Sequence, residues 1–234
     1  MNYQQPAFVL HSRPYRETSV MLTLLTPQFG KLQATIRGVR GAKRSAQKQA
    51  WLQPFQAIQI QWRAQGEQEW IRPQSFEPYG PPIGLVGDAN ICGLYINELL
   101  YRLLPSTEAS PDLFLHYQQT LHGLRDAHNR SDQAWWLRQF ELSLLQDLGY
   151  RLMLTQDASG QPIEAGQFYD YQHEIGFTLA HNPQFAFRGD CLLRLASLHY
   201  DSDCLNDWRR LMRQVLQPYL GHKPLATRAL FKTL

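Results

Sequence analysis

The chain has 234 residues, 44% hydrophobic and 12% aromatic, with a formal net charge of +3. That is apolar material for a proper core in one or two domains, and no run approaches the roughly 18 apolar residues of a spanning helix. Charge is unevenly spread. Residues 1–80 hold ten Lys or Arg against four acids, a net of +6, whereas residues 81–234 hold thirteen against sixteen, a net of −3. Such asymmetry points to a nucleic-acid- or membrane-binding module joined to something else. Membrane binding is the weaker option, because the basic segment lacks the large apolar face of an interfacial helix.

The opening MNYQQPAFVLHSR has no basic n-region and apolar h-region, so no secretory leader is expected. Period-2 patterning then runs through the first 80 residues. Val20, Leu22 and Leu24 share a face, as do Leu32, Ala34 and Ile36, and Ile58, Ile60 and Trp62 alternate with Gln59 and Gln61. With residues 7–11 and 69–76 this predicts about five short strands separated by Gly/Pro turns. Their number and length suit an OB-type barrel, and an SH3-like barrel reads similarly.

Residues 30–55 read GKLQATIRGVRGAKRSAQKQAWLQPF, with Lys31, Arg37, Arg40, Lys43, Arg44 and Lys48 and no acid. Crowded like charges destabilise a compact state unless a polyanion offsets them. A nucleic-acid backbone does so with release of counterions. Tyr15, Phe29, Trp51 and Trp62 are the nearby aromatics that could stack unpaired bases, although the alternation places Trp62 in the core.

Residues 77–87, EPYGPPIGLVG, break any regular element and read as a linker. The period then becomes 3.6. Asp88 caps a helix burying Ile96, Leu99, Leu100 and Leu103. Ser110-Pro111 opens a second with Leu113, Phe114, Tyr117, Leu121 and Leu124. Ser131 opens a third carrying Leu137, Phe140, Leu144, Leu145 and Leu148, with Gly149 past its end. Residues 150–190 are mixed, with short strands expected near 166–171 and 176–180. A last long helix carries Leu205, Trp208, Leu211, Met212, Val215 and Leu216, stopped by Pro218 and Gly221, and a short basic helix follows Pro224. The expected architecture is α+β: a barrel domain over 1–80 and a helical domain over 81–234 with a mixed segment at about 150–190.

Catalytic and metal motifs are weak. Cys92, Cys191 and Cys204 show no pairing pattern, suit a reducing cytoplasm, and read as small buried hydrophobes rather than a zinc set. Asp201 and Asp203 could hold Mg²⁺ in a nuclease, but two carboxylates just before a helix more often cap it. The run from Gly38 to Ser45 breaks the P-loop spacing. Its G-x-x-G also resembles a KH clamp, but a strand pattern precedes it; a turn with glycines at positive φ fits better. No histidine completes a nucleophile motif. The chain is therefore expected to be no enzyme and to need no cofactor or metal.

AFVLHSRPYRETSVMLTLLT (7–26), GKLQATIRGVRGAKRS (30–45), LQPF (52–55) and GLYINELLYRLL (93–104) resemble the RecO family of DNA repair. LRQFELSLLQDLGY (137–150) and YLGHKPLATRALF (219–231) extend the match in order to the C-terminus. The resemblance implies an N-terminal OB-fold and a helical domain. It implies a non-enzymatic recombination mediator in the cytoplasm, at the nucleoid, that binds single- and double-stranded DNA and anneals strands. The implied partners are RecR, the acidic C-terminal tail of single-strand-binding protein and, indirectly, RecA. The DNA role falls on Arg13, Arg16, Lys31, Arg37, Arg40, Lys43, Arg44 and Lys48, with Lys223, Arg228 and Lys232 as a second contact, and Arg138 matches a position suited to the acidic tail. Some relatives carry a four-cysteine zinc module after residue 150. This chain lacks it.

Overall fold

The computed structural model describes residues 1–39, 43–63 and 70–230, with the backbone alone for 43–45. Its first sheet has six strands: β1 (Asn2–Tyr15), β2 (Ser19–Thr26), β3 (Gly30–Ile36), β4 (Ala57–Arg63), β5 (Trp70–Ile71) and β6 (Ser75–Pro78), in the order β5-β3-β2-β1-β4-β6. The long β1 is shared. Residues 2–8 pair with β4 and residues 8–15 with β2, through a bulge between Val9 and His11. Pro6 lies where β1 has β4 alone beside it, which is where a residue without an N–H is tolerated.

The single strand expected over 69–76 is in fact two. β5 pairs parallel with β3 at one edge of the sheet, and β6 pairs antiparallel with β4 at the other. Pro73 cannot donate to a ladder, so the strand breaks there. Four residue steps separate Ile71 from Ser75, at most about 14 Å of extended chain, so the sheet must curl until its edges approach. This is the half-barrel of an OB-type fold. Inside it lie Ala7, Val9, Leu22, Leu24, Leu32, Ala34, Ile58, Ile60, Trp62 and Ile71, all nearly inaccessible.

One helix was not expected. α1 (Lys43–Trp51) occupies the basic stretch read as a turn and loop. Its Ala, Gln, Lys and Arg are strong helix formers without a periodic apolar face, which is why periodicity missed it. Gly38 does take positive φ, +69°, and Val39 after it is buried and donates to Thr18 O at 3.0 Å.

α2 (Gly87–Leu103) and α3 (Pro111–Asp126) cover part of the outer face of the sheet. Phe8 packs on Phe114 and Tyr117, with ring centroids 5.5 and 5.0 Å apart. Beside the bulge, the buried Asn97 amide donates to Val9 O at 3.4 Å and accepts from Tyr117 OH at 2.6 Å. Two glycines make this possible. A Cβ on Gly93 would sit 2.6–2.8 Å from Leu85 and Phe55, and one on Gly30 would sit 1.8 Å from Glu108 O, with φ already at +53°. The family-like sequence blocks around residues 30, 55 and 93 thus share a packing reason.

By packing, the chain groups into two compact units, Met1–Asp126 with Leu225–Leu234, and Ala127–Pro224. The change from strands to helices itself falls between Pro78 and Gly87. The C-terminal α7 (Thr227–Leu230) joins the first unit through Glu98, whose carboxylate accepts from Ala226 N (2.8 Å), Thr227 N (3.0 Å) and Thr227 Oγ1 (2.7 Å).

The second unit contains α4 (Arg130–Asp147), a three-stranded sheet of β7 (Phe168–Gln172), β8 (Gly176–Leu179) and β9 (Phe187–Arg188), then α5 (Gly189–Ala196) and α6 (Leu205–Leu220). The first two strands fall near the expected places; β9 and the eight-residue α5 are too short for a periodic signal. Pro218 does not stop α6. The helix continues to Leu220 and ends at Gly221, φ +65°, because a proline near the end removes one N–H without needing a break. Cys191 and Cys204 form a disulfide between the start of α5 and the turn before α6. That corrects the expectation of three unpaired thiols: thirteen residues apart in sequence, the two are brought together by the α5–α6 reversal. Cys92 stays outside that bond as a buried thiol.

Candidate nucleic-acid interface

Strand alternation decides which cations face outward. With Leu32, Ala34 and Ile36 in the core, Lys31, Gln33 and Thr35 take the outer face of β3. Register extends that face sideways. Thr35 lies opposite Met21 and Met21 opposite Arg13, while Gln33 lies between Thr23 and Trp70. Arg13 and Lys31 therefore belong to one side of the curled sheet, and Arg37 follows directly after the end of β3.

At its end lies a groove of about 420 Å³. Arg37 enters from the end of β3, Lys48 from α1, and Arg72 from the short crossing between β5 and β6; Thr35 and Phe76 are part of the lining. Trp51 packs edge-on against Phe76 at 6.2 Å and so anchors α1 to that wall. Arg37, Lys48 and Arg72 are exposed and have no ion-pair partner among the described residues. Three uncompensated cations around one concavity repel each other, and an anion relieves that repulsion.

Arg13 lines a second groove of about 300 Å³, its guanidinium against Met21 Sδ (2.7 and 2.9 Å), with His11, Thr23, Gln33, Trp70 and Tyr101. His11 stacks on Tyr101 at 4.8 Å. Burial and the neighbouring Arg13 hold its pKa below the ordinary 6.5. Arg16 takes positive φ, 52°, and lies over the Tyr15 ring at 5.2 Å. Lys31 serves the fold as well, because its Nζ donates to Tyr101 O at 3.1 Å and caps the last turn of α2.

The other expected residues fall on other elements or lie outside the described residues. Arg40 and Lys232 lie outside, as do the side chains of Lys43 and Arg44. Lys223 is exposed in the second unit, and Arg228 is half-buried in α7 of the first. Arg138 is buried in α4 and donates to Glu141 Oε1 at 2.7 Å. Among the candidate stackers, Phe29 and Trp62 pack with Tyr3 at 4.9–5.4 Å, and Trp62 is in the core as its alternation implied. Two residues of the site escape sequence reasoning. Arg72 falls outside the acid-free window, and Trp70 is hidden at a strand boundary. The outward direction of Trp70 is nonetheless legible, since Ile71 beside it is apolar and points in.

Asp201 acts as a cap, its carboxylate accepting from Asp203 N at 2.9 Å and pairing with Arg194 at 3.3 Å, and Asp203 is an acid in the first turn that follows. Asp190, Cys191 and Cys204 place their ligand atoms within 4.8 Å of one another, but the two sulfurs are bonded to each other and Arg188 Nη2 lies 2.8 Å from Cys191 Sγ. A cation so close disfavours a second positive ion. No described helix is long and apolar enough to cross a membrane.

Comparison with known proteins agrees with this architecture. The family described as "Recombination protein O N terminal" matches residues 1–77, and "Recombination protein O C terminal" matches residues 86–229. The chain is 40% identical over 233 residues to the DNA repair protein RecO of Stutzerimonas stutzeri, covering 98% of this chain and 94% of that one. It is 39% identical to the RecO proteins of Pseudoalteromonas atlantica over 232 residues (98% and 94%) and Yersinia pestis over 235 residues (99% and 95%). With both halves matched and near-complete coverage at this identity, the chain belongs to the recombination protein O family of DNA repair proteins.

Proposed function

We propose that this protein binds single- and double-stranded DNA through the cationic groove at the end of its half-barrel and the outer face beside it, and promotes annealing of complementary strands without breaking bonds. The observation that carries this is the groove ringed by Arg37, Lys48 and Arg72, three exposed cations without carboxylate partners among the described residues. Neutralising two strands on one surface lowers their repulsion and raises their local concentration, so pairing follows. Phosphate contacts carry no base information, so binding is largely independent of sequence. If about six to eight cations meet a single strand, log K falls against log[salt] with a slope of roughly −4 to −6. Fluorescence anisotropy with a labelled oligonucleotide across ionic strengths tests this, and a slope near zero removes it. Competition with RNA of matched sequence separates DNA from RNA as the partner.

The family supports a place in recombination, in the cytoplasm at the nucleoid, where the protein works with RecR to load RecA onto DNA coated by single-strand-binding protein. The acidic tail of that coat protein is assigned to the neighbourhood of Arg138. Arg138 Nε is buried with no hydrogen-bond partner among the described residues, a donor that a peptide carboxylate would satisfy. Removing Arg138 alone breaks its buried pair with Glu141, so the test is the pair Arg138→Met with Glu141→Leu, which keeps the site apolar. Calorimetric titration with an acidic C-terminal peptide should show lost binding; unchanged affinity sinks the assignment. DNA affinity of the same variant should be untouched.

A further inference from the structure

We propose that Trp70 and the Arg13 groove beside it form a stacking site for one unpaired base of a DNA single strand, and that this site gives the barrel face its preference for single strands over duplex. The inference rests on the DNA-binding reading of the same face and adds to it the recognition of strandedness. Trp70 is 42% exposed, yet it is held in place: its Nε1 donates to Thr35 Oγ1 at 3.0 Å, its backbone pairs with Gln33, and Ile71 next to it is buried. A water-facing indole fixed by its own N–H offers a ring face at little entropic cost.

The adjoining groove supplies polar partners. Thr23 Oγ1 donates to Gln33 Oε1 at 3.1 Å, which leaves the Gln33 NH₂ as a donor for a base edge. Arg13 lines the same groove and suits a phosphate. Thr35 links the two concavities, since it lines the Arg37 groove and also holds Trp70. A strand whose phosphates lie along Arg37, Lys48 and Arg72 thus brings its next base to the indole. In duplex DNA both faces of each base are already stacked on neighbours, so only an unpaired base can use this surface.

The experiment measures binding of the full chain to a thymine homopolymer, an abasic strand of equal length, and a duplex. Trp70→Ala should weaken binding to the thymine strand by about tenfold. Affinity for the abasic strand and the duplex should stay the same, with an unchanged salt slope. Trp70→Phe, which keeps a ring but loses the bond to Thr35, should retain most of the preference and serves as the folded control. Equal losses on all three ligands, or none on the thymine strand, overturn the stacking site while leaving the DNA-binding reading standing. A wild-type chain that binds none of the three at low salt overturns that reading instead, and this one with it.

Discussion

The two compact units treat positive charge differently. In the second, four arginines are matched to carboxylates, Arg138 to Glu141, Arg188 to Asp190 and Asp207, Arg194 to Asp201 and Arg210 to Asp207, while Arg151, Arg209 and Arg213 are exposed without a described ion pair. In the first, the described ion pairs are Arg102–Glu98 and Arg125–Asp126, both on helices, whereas Arg13, Arg37, Lys48 and Arg72 on the barrel side have none. Each unit is rich in arginine, so a count of cations does not separate them. Pairing does. A matched cation contributes to the fold, as Arg138 does through Glu141 Oε1 while its Nε stays without a partner, whereas an unmatched one offers its whole charge to an anion and costs a little stability while it waits.

That contrast can be broken most severely at its buried extreme. Glu141→Leu leaves the Arg138 charge buried and unmatched, and should cost about 3–5 kcal/mol in urea unfolding. If the cost is near zero, the pair is not structural and the contrast loses its strongest member. On the barrel, Arg37→Ala, Lys48→Ala and Arg72→Ala combined should flatten the salt slope of single-strand binding by about 2. Stability should change by no more than about 0.5 kcal/mol. A large loss of stability there would mean that these cations hold the fold after all.

Smaller effects concern pH. Burial alone would raise the Glu98 pKa, but the Thr227 N–H and hydroxyl, the Ala226 N–H and Arg102 outweigh it, and the net shift is below the ordinary 4.5. A carboxylate with a depressed folded pKa stabilises above its unfolded value and loses that contribution as pH falls through the folded one. Glu98→Gln should therefore lower stability at neutral pH and remove part of its decline below about pH 4.5; an unchanged acid profile would contradict the capping of α7 by Glu98. His11 runs the other way. Its lowered pKa means the unfolded chain binds more protons in the window just below 6.5, so stability should fall with acidification there. His11→Phe, keeping the ring against Tyr101, should abolish that slope. A small change in urea unfolding is also expected at Arg194→Ala, a half-exposed pair with Asp201, within about 1 kcal/mol.

Much of this was readable from the chain. Period-2 alternation located β2, β3 and β4 and put Trp62 inside; period-3.6 spacing with Ser110-Pro111 and Gly149 located α2 to α4; the acid-free run announced a cationic surface. These signals are local, because side-chain direction follows directly from backbone period. Three things were decided only by the tertiary structure. Curling of the sheet brought Arg72, from beyond the basic run, beside Arg37 and Lys48. The α5–α6 reversal joined Cys191 to Cys204. Packing settled which cations are taken up by the fold, giving Lys31 to the end of α2 while leaving Arg37 open; Arg138 and Glu141 already face each other at helical i,i+3 spacing, and packing decided only that the pair is buried. Position along the chain does not encode that choice, since a charge is matched or free according to what distant segments place within about 4 Å of it.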